Sequence, residues 1–226
     1  MSLLESIIQY FNARYPILYI ESFEETKVDR IIAEAMKKVE LTHGYEWNAA
    51  TGYCDFFTKS PDDTEISLAA KLKSLADESD AELDKSFLVI KDSNQFMDDP
   101  IVVGSLKKLL LRIVAEQEET QFDFVIFIVS SVRKIPAELE KYITMLELEF
   151  PNEDEIETLI KAYDDRYILG IPAETVKEMA LACKGLTEFE SENVMALVAG
   201  LISGQSSADS VWMIPIRNLR SGRCVS

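Results

Sequence analysis

The chain has 226 residues, 47% of them hydrophobic, which is enough to bury a full core as one α/β domain with an appendage or as two small domains, and is not the composition of a disordered chain. With 40 acidic against 23 basic residues the net charge is -17, so the surface repels phosphate backbones and anionic lipid, and neither nucleic acid nor a membrane is expected as a direct partner. Cys54, Cys183 and Cys224 are far apart and odd in number, which argues against a disulfide framework. Together with the absence of a membrane-length apolar run or a basic leader at the N-terminus, this predicts a cytoplasmic location.

Taken in chain order, Leu3, Leu4, Ile7, Ile8 and Phe11 recur at helical spacing, predicting an amphipathic helix over 3–13 that ends before Tyr15-Pro16. "ILYIES" is a continuous apolar run of the kind buried on both faces of a sheet, and "KVDRIIAEAMKKV" puts Val28, Ile31, Ile32 and Ala35 on one helical face. "YEWNAATGYCDFF" predicts a strand with a turn at Gly52, and "TEISLAAKLKSLADES" a helix of good formers. "SFLVIKD" and "FDFVIFIVSS" are further buried strands, separated by the helix "DDPIVVGSLKKLLLRIVAEQEE" with proline near its start. "ITMLELEF" is a fourth, more alternating strand. The alternation predicts a mostly parallel sheet covered by helices over 1–150. Past Pro151 the strands stop, and "NEDEIETLIKAY", "PAETVKEMALACKG" and "TEFESENVMALVAGLISG" predict a helical subdomain over 151–203. Residues 204–226 break the acidic pattern with Arg217, Arg220 and Arg223 and are expected to be a disordered or truncated tail.

The connection from the first strand to its helix is where an α/β sheet places a phosphate cradle, built from glycine N-H groups and a lysine. Here it reads Glu21-Ser22-Phe23-Glu24-Glu25-Thr26-Lys27, with no glycine. Ser22 and Glu25 fit a capping box that ties up the helix-start N-H groups, and Glu24 and Glu25 put negative charge where a phosphate would sit. Lys27 is expected to pair with an acid on its own helix. Asp92 stands at the carboxyl end of a buried strand, where such sheets hold a metal-binding or catalytic acid, and is followed by Ser93. Asp98 and Asp99 fit a helix start, His43 a polar turn, and Cys54 and Cys183 buried thiols.

Laid out this way, the chain resembles the AAA+ ATPase architecture, an α/β, P-loop-NTPase-like three-layer parallel sheet with a C-terminal helical lid subdomain. More closely it resembles the degenerate N-terminal AAA-like half of a family of large bacterial, cyanobacterial and algal-plastid AAA proteins. The residues that carry this are "ARYPILYIESFEETKVDRII", "FLVIKDSNQFMDDPIVVGSLKKL", "SSVRKIPAELEKYITMLELEFPNEDEI" and "CKGLTEFESENVMA", covering most of 3–200. The resemblance implies that the strand of residues 17–21 lies between those of 124–130 and 144–150. It puts Asp92 at the Mg²⁺-binding position of the Walker B strand and Ser130 near the sensor-1 position. The Walker A motif is absent, Ser93 replaces the Walker B glutamate, and the arginine-finger loop reads Glu138-Leu139-Glu140-Lys141.

The expected function is therefore a non-catalytic AAA+-like domain that assembles with or regulates a catalytic AAA module, in cis or in trans, within an AAA-type oligomer. No catalytic residue, metal ligand or cofactor is expected on this reading. The alternatives are a nucleotide-binding or weakly active AAA ATPase that uses Mg-ATP through Asp92, and an acidic adaptor that docks a basic protein.

Overall fold

The computed structural model describes residues 1–61, 67–79, 83–119 and 122–204, with the backbone alone for 116–119 and 202–204. The tail expected over 204–226 lies, apart from Gly204, outside the described residues. No described helix is long and apolar enough to cross a membrane. The chain divides into two compact units at Glu149 and Phe150.

The first unit runs α1 (Leu3–Asn12), β1 (Ile17–Glu21), α2 (Glu25–Lys38), β2 (His43–Asn48), β3 (Gly52–Asp55), α3 (Leu68–Asp77), β4 (Ser86–Lys91), α4 (Pro100–Glu119), β5 (Phe124–Ser130) and β6 (Ile143–Glu147). Its strands form one sheet in the order β3-β2-β4-β5-β1-β6. β1 pairs in parallel with β5 on one side and β6 on the other, as the resemblance implied. The run "YEWNAATGYCD" expected as a strand with a turn folds as a hairpin, β3 pairing antiparallel with β2 at the sheet edge. The Asn48 side chain accepts from the N-H groups of Ala50 and Thr51, and Gly52 takes the positive φ of 70° that the turn requires. His43, expected in a polar turn, opens β2 and is exposed.

Strand periodicity sorts the apolar runs into two layers. Leu18, Ile20, Phe87, Val89, Val125, Phe127 and Val129 pack against Leu3 and Ile7 of α1 and Val28, Ile32, Ala35 and Met36 of α2. Ile17, Tyr19, Leu88, Ile90, Phe124, Ile126 and Ile128 face Leu72 and Leu75 of α3 and Leu106, Leu109 and Ile113 of α4. Both faces of β4 and β5 are covered, which is why these strands read as unbroken apolar runs. The Cβ that Gly44 lacks would meet the Phe87 ring at 2.3 Å, so only glycine lets β2 lie against that ring.

The second unit holds α5 (Glu153–Tyr167), α6 (Ala173–Cys183) and α7 (Glu188–Gly204) around Ile156, Ile160, Val176, Ala180, Cys183 and Met195. Asn152 starts α5 with a capping box to Glu155. Thr187 and Glu190 exchange the same two bonds at the start of α7, at 2.9 and 3.1 Å.

Candidate functional site

In an α/β sheet the carboxyl ends of the parallel strands face the ligand. Those ends carry Glu21, which closes β1, and Ser22 after it, Lys91, which closes β4, and Asp92 after it, and Ser130, which closes β5. The pairing of β1 with β5 runs on past the strand, because Ser22 N donates to Ser130 O at 3.1 Å. Ser22 Oγ accepts from Glu24 N at 2.9 Å, making a tight turn, and Phe23 at its tip is 84% exposed.

The capping box expected between Ser22 and Glu25 does not form. The N-cap of α2 is Glu24, without a side-chain cap, which makes Glu25 the first helical residue instead of the third. The Ser22 N-H that Glu25 was to receive is already bonded to Ser130 O, and the Glu25 carboxylate turns inward to Lys91, Oε2 to Nζ 3.3 Å.

Lys91 is the centre of the site, and sequence reasoning missed it. It ends β4 on the face of Phe87 and Val89, looking towards α2, and is only 6% exposed. Its Nζ lies 2.8 Å from Asp29 Oδ2, 3.3 Å from Glu25 Oε2 and 3.4 Å from Glu46 Oε2. Lys59, half exposed on the loop after β3, reaches the same two inner acids, 3.0 Å to Asp29 Oδ2 and 2.5 Å to Glu46 Oε2. Its ammonium also lies over the Phe56 ring, 4.3 Å from the centroid. Asn48 Nδ2 donates to Glu46 Oε1 at 3.2 Å, while Asp29 Oδ1 is buried with no partner. Burial pulls the Lys91 ammonium down, but its hydrogen bond to Asp29 and the charges of Asp29, Glu46 and Glu25 outweigh this and hold its pKa above the ordinary lysine value. One signal was legible: a lysine closing the apolar run "SFLVI", whose strand neighbours are all buried, needs a buried acid near it.

Asp92 follows in the left-handed region, φ 48°, and its N-H donates to Val129 O at 3.0 Å. Ser93 is fully buried, its Oγ without a partner. Ser130 is also fully buried but satisfied locally, its Oγ donating to Val132 O at 3.1 Å and accepting from Val132 N at 3.4 Å. The same loop is pinned by Tyr19, whose hydroxyl donates to Val132 O at 3.0 Å and accepts from Lys134 N at 3.2 Å. Among the described residues no hydrogen bond joins the side chains of Ser22, Asp92 and Ser130. Asp99 takes its expected place at a helix start, Oδ1 accepting from Ile101 N at 2.8 Å, and Asp98 pairs with Lys134. In the Glu138-Leu139-Glu140-Lys141 loop the anchor is Leu139, fully buried in the sheet core.

This order of strands, with helices on both faces, is the AAA+ class of P-loop-like α/β fold. Solved structures align at that level. They include a FIGL-1 AAA domain in complex with ADP (TM-score 0.55, 10% identity, 90% of this chain and 66% of that one) and the Thermotoga maritima RuvB Holliday junction branch migration motor (TM-score 0.54, 14% identity, 92% and 66%). The family model described as SpoVK-like AAA ATPase, N-terminal domain, matches residues 3–148, and the chain belongs to that family. Among curated relatives, an uncharacterized AAA domain-containing protein ycf46 of Guillardia theta is 27% identical over 199 residues, 88% of this chain and 37% of its own length. The protein of the same description from Trieres chinensis is 28% identical over 211 residues, 92% of this chain and 40% of its own. The chain thus spans about two fifths of the length of these relatives.

The fold family implies a magnesium nucleotide, and the residues present do not fit one. A phosphate cradle needs successive N-H groups turned inward. Here the connection holds no glycine, the N-H groups of Ser22 and Glu24 are bonded within the protein, and α2 begins with two glutamates. Lys91, which meets the helix start through Glu25, is held by three carboxylates.

Proposed function

We propose that this domain is a non-catalytic AAA+-like half that assembles with, or regulates, a catalytic AAA module carried in the same chain or in a partner. The observation that carries the reading is the start of α2, where Glu25 and Asp29 are bound to Lys91 in place of a phosphate nest. A site that neutralises itself leaves the sheet intact as a scaffold and takes phosphoryl transfer out of its repertoire. A role in assembly needs packing surfaces and no nucleotide, and fits relatives described as AAA proteins more than twice as long as this chain. The working location is the cytoplasm, with protein partners meeting an acidic surface of net charge -17.

Two measurements test it. Titration calorimetry with Mg-ATP is expected to give no saturable heat, and the ATPase rate of a co-purifying AAA protein is expected to change when this domain is added. Micromolar Mg-ATP affinity that disappears in Asp92→Ala would overturn the reading in favour of a nucleotide-binding ATPase.

A further inference from the structure

Among the described residues the second unit leaves one face of α7 open. From Val194 onward this helix carries no charged residue. Met195 and Ala199 are buried, Val194 and Val198 are half-buried, and Leu197 and Leu201, one turn apart, are 65% and 49% exposed. A helix that is apolar on every side belongs inside a larger body. Counted back from Leu201 and Leu197, the same stripe runs through Val194 to the exposed Glu190, at the spacing of neighbours on a helix surface. α7 thus offers an apolar strip with an acid at its far end.

The sequence that follows α7 carries the complement of that strip. Residues 205–226, outside the described residues, read as a polar connector "QSSADS", then the apolar run "VWMIPI" over 211–216, then Arg217, Arg220 and Arg223. Pro215 cannot continue a helix and disfavours the helical region at Ile214, so the run is made for an extended path. We infer that residues 211–216 lie back along α7, antiparallel to it, covering Leu197 and Leu201 and bringing Arg217 to Glu190. The connector of six residues spans up to about 20 Å, enough to reverse direction. From Leu201 to Glu190 the helix rises about 16 Å, and an extended chain covers that distance in about five residues. Val211 beside Leu201 therefore sets Ile216 and Arg217 level with Glu190. The charges agree: α7 opens with Glu188, Glu190 and Glu192, while the tail has three arginines against one acid, Asp209. The contact lies within one unit and does not depend on the proposed role in assembly.

The test uses the full chain as a monomer. Trp47 and Trp212 are its two tryptophans, so Trp47→Phe leaves Trp212 as the sole indole reporter. In the folded chain Trp212 emission is expected to be blue-shifted and protected from acrylamide, relative to the same chain in urea. Leu197→Gln with Leu201→Gln changes two exposed positions and keeps good helix formers there. This pair is expected to abolish the protection with circular dichroism unchanged, and Arg217→Glu, which sets two acids against each other, to reduce it. A fully quenched Trp212 in the folded parent overturns the inference. Protection that survives the paired leucine substitution or Arg217→Glu overturns it as well, because the tail then lies elsewhere. Protection that appears only where sedimentation shows a dimer gives the face to a second copy, and this too overturns it. If Trp47→Phe does not fold, the difference between the native chain and Trp212→Phe supplies the same signal.

Discussion

Ser2 and Ser22 each stand three residues before a glutamate at the start of a helix, and the two pairs fold differently. At α1 the box closes: Glu5 N donates to Ser2 Oγ at 3.3 Å and Ser2 N to Glu5 Oε2 at 3.0 Å. At α2 the serine amide belongs to the sheet, through Ser130 O, and the glutamate belongs to a buried lysine. Both bonds to the carboxylate are charge-assisted, but only the lysine also brings an opposite full charge, which burial leaves poorly screened. The four-residue pattern states what can pair locally. A competing ammonium from a distant strand decides what does.

The largest way to sharpen this contrast is to remove the competitor. Lys91→Met leaves three acids without their central cation, and breaking a buried pair in this way costs about 3–5 kcal/mol, read as a fall in denaturant midpoint. The sign with pH follows from the raised pKa of Lys91. Its contribution is fully present below the unfolded lysine value of about 10.4 and is lost as pH rises through the folded value. The native chain should therefore shed stability in alkaline buffer that Lys91→Met has already lost, and parallel alkaline melting curves would break the argument.

Serine truncation comes next. Ser2→Ala removes an N-cap acceptor at a cost of about 0.5–2 kcal/mol, and Ser22→Ala removes a turn bond at about 0.5–1.5 kcal/mol, both by chemical denaturation. The two substitutions alone do not tell a cap from a turn, so the smallest effect is the most discriminating. In double-mutant cycles Ser2 with Glu5 should couple. Ser22 with Glu25 should be additive within about 0.3–0.5 kcal/mol, and Glu25 with Lys91 should couple instead. Coupling between Ser22 and Glu25 would restore the box.

The same division runs through the whole molecule. "ILYIE", "SFLVIK" and "FVIFIVS" announced themselves as buried parallel strands because apolar side chains on both faces have one stable setting in an α/β layer. The helix starts at Asn152 and Thr187 are local exchanges over three residues, within reach of sequence reasoning. The hairpin of β2 and β3 was half legible: Gly52 marked the turn, but the pairing that makes it a sheet edge is a contact between strands.

Sequence by itself thus determined the alternation of strands and helices, the change to helices near residue 150, and the lack of a glycine cradle after β1. These follow from side-chain periodicity and backbone chemistry within a few residues. Tertiary structure alone decided that Glu25 and Asp29 of α2, Glu46 of β2 and Lys59 of the loop after β3 share a cluster with Lys91 of β4, since these segments are as far apart as 66 positions in the chain. An ion pair is fixed by distance in space and by the burial that makes an unpaired charge intolerable, and neither is written in the order of the residues.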